Sequence, residues 1–118
     1  MANPINEVLN ELLKGTDAEG AVIVSTDGLS IASELRASRD EDRIAAMSAT
    51  ILSLGEKFAS ELERGNLEQL YIKGDDGYIL FKGISDFAVL GLIVSNETRL
   101  GMLFLQMKNA AEKIESLM

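Results

Sequence analysis

Few side chains in this sequence are equipped for chemistry, and their types exclude more than they allow. There is no cysteine and no histidine. Thiolate metal sites, disulfides, Ser-His-Asp and Cys-His arrangements and zinc hydrolases each need one of those residues, so composition removes them. Of the catalytic designs, only one built on carboxylates survives. The acidic runs do not supply it. Asp40-Glu41-Asp42 occupies three adjacent positions at a helix start, where the side chains diverge and where acidic residues meet the positive end of the helix dipole. Gly74-Asp75-Asp76-Gly77 lacks the long series of oxygen ligands ending in Glu that a calcium loop needs, and the phosphate-loop pattern G-x-x-x-x-G-K-[ST] occurs nowhere. It reads as a hairpin turn. The expectation is a chain without cofactor, metal or catalytic residue. Arg36, Arg39 and Arg43 flank the acidic turn. They have the chemistry to offer a cation to another protein's phosphates, as arginine fingers do, although local ion pairing is the commoner use of surface arginine.

The elements that carry these residues follow from periodicity and punctuation. Asn3-Pro4 is an N-cap with proline at the first helical position, and Ile5, Val8, Leu9, Leu12 and Leu13 then recur at helical spacing as far as Gly15. Residues 21–26 and 29–33 are β-prone and are separated by Asp27-Gly28, which predicts a hairpin with a type I′ turn. Asp40 caps a long helix running to about Leu62. Three strand-like runs follow, at 67–73, 78–82 and 87–94, and a last helix is capped by Ser95 or Asn96. The order is α-β-β-α-β-β-β-α in one domain, 1–118: an α+β fold with a single five-stranded antiparallel sheet and helices on both faces. The run Leu90-Gly91-Leu92-Ile93-Val94 is apolar at every step, which predicts a central strand covered on both sides.

The middle helix carries two stripes. Ile44, Met47, Ile51, Leu54, Phe58 and Leu62 form one, which is expected to pack on the sheet. Ala45, Ser48, Ala49, Leu52 and Ala59 form a second arc with Glu56 its only charge, and small side chains there allow the close approach of a second helix from a symmetry-related copy. High helix propensity alone also favours alanine on a partly exposed face. Ala46, Thr50 and Ser53 lie outside both stripes, beside Asp42, and with the three arginines they form the surface expected to meet a partner.

Net charge sets the class of partner. A formal charge of −8 with scattered Lys and Arg disfavours nucleic acid and anionic membranes. No run reaches the ~18 apolar residues of a membrane span, and the N-terminus lacks the pattern of a secretory signal, so no membrane insertion and a cytoplasmic location are expected.

Residues 20–33, Gly-Ala-Val-Ile-Val-Ser-Thr-Asp-Gly-Leu-Ser-Ile-Ala-Ser, closely resemble the first hairpin of the Roadblock (dynein light chain) family, and the element order agrees with that family, MglB-like bacterial and archaeal members included, across nearly the whole chain. The related profilin layout shares the architecture. The resemblance implies a homodimer in which middle helices pack together and the strand at 67–73, through Leu70 and Ile72, pairs with its mate. It also implies regulation of a small Ras-like GTPase, as activator or other modulator. Other members are structural adaptors in larger assemblies, and nothing in the sequence separates the two roles.

Overall fold

The computed structural model describes residues 3–16, 18–35, 40–95 and 99–118. The chain begins with helix α1 (Pro4–Thr16). The Asn3 Oδ1 accepts the Ile5 N–H at 2.9 Å, which satisfies a donor left free at the helix start. Strands β1 (Gly20–Ser25) and β2 (Ser30–Leu35) form the first hairpin. Its turn is not the type I′ expected from Asp27-Gly28. Three residues, 26–28, lie inside the bond that closes the loop, from Ser25 N–H to the Leu29 carbonyl, and Gly28 N–H bonds to the Ser25 carbonyl. Only Gly28, at φ +91°, enters the left-handed region. Asp27 stays outside it, so a single glycine suffices.

Helix α2 (Glu41–Glu61) starts at the expected cap, with the Asp40 carboxylate accepting the Arg43 N–H at 3.1 Å. The meander comprises β3 (Gln69–Gly74), β4 (Gly77–Gly83) and β5 (Ala88–Val94). Helix α3 (Leu100–Leu117) begins later than Ser95 or Asn96 would place it. Its N-cap is Arg99, which makes no side-chain capping bond, and Asn96 lies outside the described residues.

The five strands pair antiparallel in the order β2-β1-β5-β4-β3, so β5 is central and β2 and β3 are the edges. One face is covered by α1 and α3, which pack on each other. Between them and the sheet lies the larger core, with Leu9, Ile23, Leu80, Leu90, Leu92, Met107 and Ile114 fully buried. Each such side chain contributes about 1.5–3 kcal/mol. The opposite face carries α2 alone, and α2 lies over β1 and β2.

The faces of α2 differ in part from those expected: Ile44 and Ile51 of the expected stripe do pack, half-buried, against the second core, but the rest of that stripe does not. The small residues pack on the sheet: Ala45 is 0% and Ser48 4% exposed, and Ala45 joins Val22, Val24, Phe81 and Val89 in the second core. The large residues Met47, Leu54, Phe58 and Leu62 are 56%, 55%, 61% and 61% exposed. Close approach is the physical reason. The β1–β2 turn comes so near the helix that a Cβ on Gly28 would sit 3.6 Å from the Ala49 Cβ, and bulky side chains on that arc would lift the helix off the sheet. Ala45 and Ser48 are thus covered by their own chain and are withdrawn from the helix-to-helix contact assigned to them.

Candidate functional site: an apolar notch and two flanks of α2

With one helix over half of a five-stranded sheet, the β3–β4 half of that face stays open. Pairing register puts Ile72 opposite Ile79 and Ile79 opposite Ile93, so three isoleucines form a row across β3, β4 and β5. The next row runs Leu70, Phe81, Gly91, Val22. Phe81 occupies the space above Gly91, where a Cβ would lie 3.3 Å from the ring. Against these rows stands the Ile44, Met47, Ile51 side of α2, and the two walls enclose an open apolar notch of about 380 Å³. Leu54, Phe58 and Leu62 extend the helix wall beyond it.

The residues expected to meet a second copy are divided by this geometry. Ala49, Leu52 and Ala59 are half-buried on the arc that includes Ala45 and Ser48. Leu70 and Ile72, on the edge strand β3, pack against the second core from the open half of the sheet. Glu56 has a local role: its carboxylate accepts the Leu67 N–H at 3.2 Å and fastens the α2–β3 connection to the helix. The other side of β3 belongs to the opposite face, where the Tyr71 ring lies 6.3 Å from Tyr78 and 6.5 Å from Phe104.

Of the residues expected to meet a different partner, Asp42, Arg43, Ala46, Thr50 and Ser53 are all exposed, and Ala46 and Thr50 border the Met47, Ile51 and Leu54 wall on the outer side of α2. The Thr50 hydroxyl donates to the Ala46 carbonyl at 3.0 Å, which keeps that side low. Arg36 and Arg39 lie outside the described residues. Sequence reasoning missed Met47, Leu54, Phe58 and Ile79 as surface residues. The signal was present: a helix with two apolar stripes has two neighbours, and the small-residue stripe belongs to the nearer one. Among the described residues no group of His, Cys, Asp and Glu is arranged to hold a metal ion, and no helix is long and apolar enough to cross a membrane.

An antiparallel five-stranded sheet with two helices on one face and one on the other is the layout of Roadblock/LC7 and profilin-like folds. The Roadblock/LC7 domain model matches residues 4–94, and the chain belongs to that family. Among curated proteins it is 35% identical to the uncharacterized protein MJ1340 of Methanocaldococcus jannaschii, over 96% of this chain and 98% of that protein. Among solved structures, Myxococcus xanthus MglB superimposes with a TM-score of 0.90 at 22% identity, covering 96% of this chain and 93% of that one. A structure of MglB with a tetrameric arrangement gives 0.87 at 23% identity, covering 99% and 91%. At such identities these two likenesses speak for the fold.

Proposed function

We propose that the chain is a homodimeric, non-enzymatic regulator of a small Ras-like GTPase, assembled through the notch. The carrying observation is the exposed apolar wall of Met47, Leu54, Phe58 and Leu62 beside an uncovered half-sheet. A two-fold axis requires one patch to present both a projection and a recess, and here the helix wall and the sheet rows supply them. Covering those four side chains in both copies is worth on the order of 10 kcal/mol. That is similar to the ~4–15 kcal/mol cost of association. Backbone pairing along the free edge of β3, next to Leu70 and Ile72, therefore belongs to the same contact.

In such a dimer the Asp42, Arg43, Ala46, Thr50 and Ser53 flank of each α2 stays outside and is the surface proposed for the GTPase. Membership of the Roadblock/LC7 family and the likeness to MglB support this partner. One GTPase per dimer is expected, because a partner lying across the axis blocks the second copy. Single-turnover GTP hydrolysis and nucleotide exchange by small Ras-like GTPases of the source organism, with and without this protein, test the proposal. Changed kinetics support regulation; binding with unchanged kinetics marks a structural adaptor; absence of binding overturns both.

A further inference from the structure

The flank of α2 facing away from the notch borders a second cleft, of about 480 Å³, between the C-terminal half of the helix and the ends of β3 and β4. Its floor is apolar, made by Leu52, Phe81 and Val89. Its end is closed by Leu67, held in two ways. The Glu56 carboxylate takes its N–H, and Gly55 lets its side chain lie against the helix, where a Cβ would come 3.0 Å from the Leu67 Cδ2. The walls are thus fixed by packing and by a hydrogen bond, and the volume falls in the range of about 300–1,000 Å³ found for ligand clefts.

The charged side chains that line it, among the described residues, have one sign. Among the described residues, Glu56, Glu68 and Asp86 line the cleft and no Lys or Arg does; Lys82 and Lys108 face the neighbouring depression, which shares Glu68, Gly83 and Ser85. The carboxylates are not grouped closely enough to hold one metal ion. An apolar floor beneath spaced carboxylates matches a side chain with an aliphatic stem and a cationic head. We propose that this cleft receives an arginine or lysine of an extended, basic segment of a partner protein, with the stem over Phe81 and Val89 and the head toward Glu56 and Asp86. The proposal does not depend on the GTPase reading, and its test contains no GTPase.

The probe is a synthetic peptide, Gly-Leu-Arg-Leu-Arg-Gly, titrated into the full chain and followed by backbone amide NMR. Shifts are expected at Ser53, Asn66, Gln69 and Asp86. Raising the salt to about 0.5 M should weaken binding, since screening acts on exposed charges. Ser53→Arg, at an exposed lining position, should weaken it by at least about tenfold by placing a competing cation at the mouth. Asp86→Lys should do the same, and urea midpoints check that both variants fold. A peptide with glutamate in place of arginine should not bind. The proposal is overturned if no shifts appear at millimolar peptide, if they map to the notch, if the glutamate peptide binds equally well, or if Ser53→Arg has no effect. It is equally overturned if binding appears only in a monomeric variant, since a second copy of the chain then fills the cleft.

Discussion

The Glu56 carboxylate and the Leu67 amide, eleven residues apart, meet at 3.2 Å and hold the start of the meander against the end of α2. Glu56→Ala removes the acceptor, whereas Glu56→Gln keeps one. The site is exposed, so the loss should be only about 0.5–1 kcal/mol. Hydrogen exchange gives the sharper readout: the Leu67 amide should exchange faster in the alanine variant and nearly normally in the glutamine variant. Equal protection in both would show that packing of Leu67 on Gly55 alone fastens the connection.

Gly91 sits in the central strand beneath the Phe81 ring, and a Cβ there would lie 3.0 Å from the Val22 Cγ2. Gly91→Ala should destabilise the fold by about 1–3 kcal/mol through overpacking. A lower urea midpoint with an unchanged slope would be the signature. Trimming the neighbour in the double variant with Val22→Ala should restore part of the loss, because residues in contact do not act additively.

The division of α2 between a small-residue face and an exposed large-residue face separates two sets of variants. Leu54→Asp and Phe58→Asp alter side chains that are 55% and 61% exposed in the single chain, so sedimentation should find folded monomers. Ala45→Leu changes a fully buried position and should lower stability by about 1–3 kcal/mol without acting on association directly. A Phe58→Asp protein that remains dimeric at micromolar concentration would place the self-contact elsewhere.

Calorimetry with GTP and magnesium should show no heat of binding to the purified chain, since the sequence contains no phosphate-loop pattern. Stoichiometric binding would assign it a nucleotide site of its own.

Element order, the cap at Asp40 and the central place of the Ala88–Val94 strand were legible because each rests on short-range chemistry: an oxygen for a free N–H, or an unbroken apolar run for a strand covered twice. The start of α3 was not, because Ser95 is a good cap in isolation and the helix nevertheless opens at Leu100 without a side-chain cap. The hairpin at Asp27-Gly28 was right in place and wrong in type, since one left-handed glycine meets the need of a three-residue loop. The faces of α2 failed for a tertiary reason. Side-chain size normally ranks what goes inside, but the turn at Gly28 leaves room only for small residues, and Met47, Leu54 and Phe58 then point away. Ile79 became a surface residue only once strand order was known, because α2 covers the β1–β2 side and leaves its side open.

The strand order also has a kinetic consequence. Pairing of β1 with β2, and of β3 with β4 and β4 with β5, joins neighbours along the chain, but the sheet is made whole by β1 against β5, where Gly20 faces Ile93. The N-terminal hairpin must therefore wait, on a growing polypeptide, until β5 has been synthesised about seventy residues later before its inner edge finds a partner. Closing so long a loop is slow relative to forming either local unit. Until then β1 presents an unpaired apolar edge, and the seam between two quickly made halves is where folding competes with aggregation.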